Sequence, residues 1–347
     1  MSEINSLEGW TRIVAEVLDE VDSAFIVYAP WPDSIASAAL LKMALSEQGI
    51  GLSIRPALPE ELLSVVEEAF AEDSVLILSD LLPTGSGPLQ AAEQLWGQVL
   101  VVDHYDPERP RFPVRILRLN PLLSGLGPLP SSVISLAVAR SLCPDMPQES
   151  WVALLGCLEP GAECPEGSRL VTSDRQARSL VERAYNLILE AIAGDPESGV
   201  LLGVAALEEC FESIECFLSG SFPLSRTLLD LSKQGSVQLR EFESQAHTLF
   251  QSQRLCILRV DDPRIRHVVA ESASQTSEVA GAVYMDDVAA FMSLRSKQAG
   301  RDLMSYTSLA MLDLEGAFFG YREFVEISLR ASQLSTLVRR LSELLSP

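Results

Sequence analysis

The sequence predicts an α/β protein: a parallel-sheet domain, a helical connector and a smaller second α/β domain. Three observations predict it. Short, wholly apolar runs recur near the N-terminus and two of them end in aspartate, as strands buried on both faces do. Helical spacing fills the gaps between them, which is the alternation of a layered α/β sheet. The strand signal then stops for the middle of the chain and returns after Arg254.

Taken in order, Ala24 to Ala29 (AFIVYA) is the first buried strand. A helix follows from Asp33 to Glu47, with Asp33 or Ser34 as its cap and Gly49 as its stop. Leu52 to Ala57 is a strand and Glu60 to Ala71 a helix; Val75 to Ser79, Val99 to Val102 and Val114 to Leu119 complete the sheet. Helices run over Ser131 to Cys143 and Glu149 to Leu158. The connector holds helical segments at Ser173 to Ala193, Val204 to Phe217 and Leu224 to Gln251, the last as one long helix. Strands Leu255 to Val260, Val279 to Met285, Ala289 to Arg295 and Val325 to Leu329, then a helix from Ser332 to Leu345, form the last domain. The expected divisions are 1–172, 173–252 and 253–347.

A chain of 347 residues exceeds one comfortable core, which fits this division. No apolar run reaches the ~20 residues that span a bilayer, and the first residues, MSEINSLEGW, lack a signal-peptide pattern. A soluble cytoplasmic protein without membrane contact is expected. The net charge of −22 repels polyphosphate at long range and weighs against a DNA-coating protein. The six cysteines contain no CxxC pair and are expected to be reduced, mostly buried thiols.

In parallel sheets, ligands gather at the carboxyl ends of the strands. Four stretches fall there: Ala29-Pro-Trp-Pro-Asp33, Ser79-Asp80, Asp103-His-Tyr105 and Gly156-Cys-Leu-Glu159. Each has a plain structural reading. Asp33 suits a helix cap, Asp80 and Asp103 suit turns, His104 suits a carboxylate partner and Glu159 suits a loop. His247 and His267 read as surface residues. Arg109, Arg111, Arg115 and Arg118 form a basic cluster expected to pair with neighbouring carboxylates.

In order and spacing the four stretches resemble the motifs of the DHH phosphoesterases, the RecJ-like nucleases above all. The VVDHY segment stands where that family has Asp-His-His, and Ser293-Leu-Arg-Ser296 resembles a substrate-contacting strand of its DHH-associated domain. The resemblance implies a DHH domain followed by that associated domain. It also exposes departures. The family's His-x-Asp-x-Asp is here Ala29, Trp31 and Asp33; its second motif-three histidine is Tyr105; its fourth-motif aspartate is Glu159; its Gly-Gly-x-His is reduced to Gly316-Ala-Phe-Phe-Gly-Tyr321. Alanine and tryptophan offer no lone pair to a hard cation, so a two-metal centre cannot assemble.

The positions Asp33, Asp80, Asp103, His104, Tyr105 and Glu159 are therefore expected to be vestigial rather than catalytic. One cation site, for a single Mn²⁺ or Zn²⁺, remains open at Asp33, Asp80, His104 and Glu159; the other expectation is no cofactor. Arg295 is the residue the resemblance marks for single-stranded nucleic acid. RecJ-like relatives include an inactive eukaryotic replication factor that sits with GINS. The implied role is thus a structural subunit of a replication or repair assembly, partnered by GINS or an active RecJ-like paralogue. The alternatives are a one-metal phosphoesterase or nuclease acting on single strands or short oligonucleotides, and an inactive sensor holding a nucleotide. Asp80→Ala is expected to fold normally.

Overall fold

The structure, a computed structural model, describes residues 7–19, 21–69, 74–83, 85–106, 112–147, 150–159, 175–245, 248–297 and 301–346. The first sheet has strand order β2-β1-β3-β4-β5, with β1 Ser23–Tyr28, β2 Gly51–Pro56, β3 Ser74–Ser79, β4 Gln98–Val102 and β5 Leu117–Leu119. Every pairing in it is parallel. Alternation of side chains divides each central strand between two cores. Ile26, Tyr28, Val75, Ile77, Leu100 and Val102 face one cluster. Val27, Leu76, Leu78, Val99 and Val101 face the other. A sheet covered on both sides explains why these strands read as unbroken apolar runs.

Around it lie α1 Leu7–Asp19, α2 Pro32–Glu47, α3 Leu62–Glu68, α4 Gly87–Leu95 and α5 Ser131–Leu142. The connector supplies α6 Arg175–Gly194, α7 Pro196–Glu209, α8 Ile214–Ser219 and α9 Pro223–Gln245. The second sheet has order β10-β11-β9-β8-β7-β6. Its strands are β6 Thr248–Gln251, β7 Leu255–Arg259, β8 Val279–Met285, β9 Ala289–Ser296, β10 Gly316–Tyr321 and β11 Phe324–Arg330. It is antiparallel except where β7 pairs β8. Helices α10 Arg266–Ala273, α11 Leu303–Ala310 and α12 Leu334–Leu345 cover it. Among the described residues, no helix is long and apolar enough to cross a membrane.

Several expected elements change. The helix expected over Glu149 to Leu158 is a 3-10 turn at Ala153–Leu158. Val204 to Phe217 splits into α7 and α8, because Ser213 caps a new helix by accepting from the Cys216 N–H. The long helix ends at Gln245, and Thr248–Gln251 joins the second sheet beside β7. Asp33 does not cap its own helix: Trp31 occupies the N-cap of α2 without a side-chain bond. Four cysteines (Cys143, Cys210, Cys216, Cys256) are free thiols, but Cys157 is disulfide-bonded, against the expectation of reduced thiols throughout. Cys164 lies outside the described residues, as do His247, Arg109 and Arg111.

The crossing of α6 and α9 depends on glycine. A Cβ on Gly235 would stand 1.6 Å from the Glu190 carbonyl oxygen, and one on Gly194 2.5 Å from that of Leu231. Backbone cannot yield as a flexible side chain does. Gly235→Ala is therefore expected to cost about 2 kcal/mol in urea unfolding, whereas Gly97→Ala, with nothing within 4 Å, should stay close to the parent.

Candidate functional site

The three central strands deliver their following residues to one point. Trp31 and Asp33 follow β1, Asp80 follows β3, and Asp103, His104 and Tyr105 follow β4. Asp80 sits at φ 52°, a left-handed backbone that a non-glycine residue adopts at some cost. Its N–H is held by the Val102 carbonyl at 2.8 Å. Asp33, Asp80 and Asp103 are fully buried and His104 is 3% exposed.

Protein donors meet each carboxylate here. Asp33 accepts from the backbone N–H groups of Ser131 (2.8 Å) and Ser132 (3.0 Å), so it caps α5, where the helix dipole favours its charge. Asp80 Oδ1 accepts from the Ser131 hydroxyl at 2.7 Å, and Asp80 Oδ2 from the Trp31 indole N–H at 2.7 Å. Asp103 turns to Arg118, which grips it with two bonds of 2.7 Å, and to Asn120 at 2.6 Å. Arg118 thus pairs with a carboxylate, as expected of it. Gly156 admits Asp33: a Cβ there would lie 2.0 Å from Asp33 Oδ1.

His104 stands among acids. Its Nδ1 lies 3.1 Å from Ser131 Oγ, 3.3 Å from Asp80 and 3.8 Å from Asp33. Because Ser131 donates onward to Asp80, the imidazole N–H donates to Ser131, forming a relay. Burial pushes His104 toward neutrality, but the hydrogen bond and charge of Asp80, with Asp33 and Asp103, raise it to about 9. Its ring stacks on Tyr105 (4.8 Å) and touches the tilted ring of Tyr321 (5.1 Å), neighbours that suit an imidazolium. Burial and the Asp80 charge lift Asp33 to about 7.

The remaining expected residues lie in a second network. The metal-compatible cluster is Asp33, Asp80 and His104, without Glu159. Glu159 instead meets Arg295 at 2.7 Å and accepts from the hydroxyls of Tyr185 (3.0 Å) and Tyr321 (3.3 Å). Arg295 is 0% exposed and also pairs with Glu271 at 2.9 Å. It therefore lies in the interior, its guanidinium turned to two carboxylates rather than to solvent. His267 corrects its surface assignment: it is 2% exposed, accepts from Arg295 at Nε2 (2.5 Å) and stacks on Trp31 at 5.0 Å. Burial, with the charges of Arg295 and Arg266, holds His267 well below the usual imidazole range. Arg266 bridges Glu60 of the first domain and Glu326 of β11.

These contacts close the cleft. Phe319, Tyr321 and Phe324 of the second sheet share one apolar core with Trp31, Tyr105 and Leu81 of the first domain. The Asp106 N–H donates to the Gly320 carbonyl across the junction at 3.0 Å. Sequence reading missed Ser131, the bridging hydroxyl; its only signal was its place at the start of a helix. It also missed Glu271, Tyr185 and Glu60, which carry none.

The sequence matches no family model and no curated protein. The fold does find likenesses among solved structures. RecJ in complex with Mn²⁺ from Thermus thermophilus aligns at 14% identity and a TM-score of 0.66, over 96% of this chain and 54% of that one. Exonuclease RecJ bound to manganese aligns at 15% and 0.53, over 97% and 95%. The DHH domain of a member of the s1p family of ribosomal proteins aligns at 12% and 0.56, over 99% and 92%. The chain spans about half the length of the Thermus protein.

Manganese in two of those structures invites a test of the residues here. Donor atoms of Asp33, Asp80 and His104 lie within 4.8 Å of one another, a set that fits one cation. A pair does not fit. Ala29 and Trp31 offer no lone pair to a cation, the Trp31 indole N–H occupies Asp80 Oδ2, Arg118 holds Asp103 and Arg295 holds Glu159. The chain has the RecJ-like DHH fold, with donors for one cation and a closed cleft above them.

Proposed function

We propose that this chain is a DHH-fold structural protein without phosphoester turnover, working in a DNA replication or repair assembly through protein partners such as GINS or an active RecJ-like paralogue. One observation carries the reading: the Trp31 indole N–H bonded to Asp80 Oδ2 at 2.7 Å. Two-metal hydrolysis needs a carboxylate between cations ~3.5–4 Å apart. Here a hydrogen-bond donor on a rigid, 2%-exposed ring takes that lone pair. Tyr321 and Phe324 pack with Trp31 and Tyr105 in one apolar cluster over the same point, which supports the reading.

A second reading has a specific observation behind it, the convergence of Asp33, Asp80 and His104. A cation held by those three side chains would supply Lewis-acid polarisation of a phosphoryl oxygen. Ser131 would orient Asp80, and the α5 N-terminus would fix Asp33.

Purified protein with Mn²⁺ and single-stranded DNA, RNA or short oligonucleotides distinguishes the two. No hydrolysis above the protein-free control is expected; turnover abolished by Asp80→Asn would establish the one-cation enzyme. Asparagine is the variant of choice, since Asp80→Ala removes two buried hydrogen bonds and is expected to be the more destabilising change. Loss of that carboxylate would strand the indole N–H and Ser131 at about 1–3 kcal/mol each. Affinity capture with mass identification tests the partner: GINS or a RecJ-like paralogue is the expected recovery.

A further inference from the structure

A cavity lies away from the cleft, on the connector. It holds about 760 Å³ between the first turns of α6 and the turn from Phe211 into α8, and Trp151 lines it as well. Gln176, Ala177, Leu180 and Val181 recur at one helical face and form one wall. Phe211 and Ile214 form the other. The Trp151 indole N–H is already bonded to the Phe211 carbonyl at 2.8 Å, so the ring contributes its apolar surface and no free donor.

Among the described lining residues the charge has one sign: Glu212 and Glu215 are exposed, and none of the others is Lys or Arg. The whole chain, at −22, adds to that field. A trough of this volume takes several large side chains. The recognition mode that combines apolar anchors at i, i+3 or i+4 and i+7 with a charged opposite border is a helix laid in a groove.

We propose that this trough is a docking site for a basic amphipathic helix of a partner protein. Its leucine-like side chains fill the space over Trp151 and Val181, and its lysines or arginines meet Glu212 and Glu215. The proposal does not depend on whether the cleft is catalytically silent.

The test uses the full chain and a labelled synthetic Leu/Lys peptide with its leucines along one helical face. A control peptide has the same composition with the leucines scattered. Fluorescence anisotropy gives both affinities. The amphipathic peptide is expected to bind at least roughly tenfold more tightly than the control. Ala177→Trp, which fills the trough without altering charge, and the double variant Glu212→Lys, Glu215→Lys are each expected to weaken it by a similar factor. Circular dichroism confirms that both variants fold. Equal binding of the two peptides would reduce the effect to net charge and overturn the proposal. So would a failure to bind, or binding indifferent to Ala177→Trp.

Discussion

Arg295→Ala is expected to destabilise the chain by about 3–5 kcal/mol, the usual result of removing one partner from a buried ion pair. The guanidinium is 0% exposed and lies against Glu159, Glu271, His267 and the face of Phe324. Glu159 comes from the first domain and Arg295 from the second, so alanine would leave Glu159 buried without a counter-charge at the junction and Glu271 with Lys297 alone, 3.4 Å away. Urea unfolding followed by far-ultraviolet circular dichroism measures the loss. A companion variant separates charge from packing: Glu159→Gln, Glu271→Gln and Arg295→Met together remove all three charges and should recover much of the stability. A change under about 1 kcal/mol in Arg295→Ala would mean that the side chain is solvated, as a nucleic-acid contact requires.

That buried arginine marks the limit of sequence reading here. The strands of the first sheet were legible because both faces are covered, leaving continuous apolar runs such as Ala24 to Tyr28. The convergence of Asp33, Asp80 and His104 was legible too, since residues after parallel strands must share one rim. The partners of those residues were not. Asp33 caps α5, whose first residue is 98 positions away in sequence, and no local pattern encodes which helix a carboxylate will meet. Glu159 looked like a loop charge beside Pro160 because its partner stands on β9 of the other domain. His267 looked exposed because its neighbours Arg264, Arg266 and Glu271 are charged, yet two of the three are themselves buried in ion pairs. Helices α4 and α11 bury few residues and leave little periodicity, whereas α10, buried almost all round, shows no polar face to alternate against its apolar one. The end of α9 was misplaced because Thr248–Gln251 carries both helical and alternating character, and pairing with β7 decides between them.

The two networks differ in the sign of the charge they favour. Around His104 the neighbours are carboxylates and hydroxyls, which stabilise an imidazolium. Around His267 they are Arg295 and Arg266, which exclude one, and the ring instead accepts a hydrogen bond from Arg295. Trp31 joins the two, its N–H on Asp80 and its face on His267. The charge balance of the first site is therefore met by side chains: one imidazolium, one indole N–H, one hydroxyl and a helix N-terminus. This arrangement supports the structural reading more strongly than the missing ligands alone, because replacement donors occupy the lone pairs of Asp80 that a bimetallic centre would use.

Stability should consequently fall on the alkaline side of neutrality. His104 is raised to about 9 in the folded chain against an ordinary value near 6.5. A raised basic group binds its proton more tightly in the folded state, so its contribution is complete below about 6.5 and disappears as pH rises through about 9. The expected loss is about 3 kcal/mol across that window. Asp33, raised to about 7, acts in the same direction over a lower range, its share vanishing as pH rises from its ordinary 3.8 through 7. His267 acts oppositely: its depressed value costs stability only as pH falls below about 6.5, when the unfolded chain takes up a proton that the folded one refuses. Urea midpoints taken from pH 7 to 9.5 should therefore decline in the parent and flatten in His104→Gln, which keeps a donor without the titration. Nitrogen chemical shifts of the His104 ring should still report an imidazolium at pH 8. A ring already neutral at pH 8, or a parent profile as flat as that of His104→Gln, would show that the acids around it do not hold its proton.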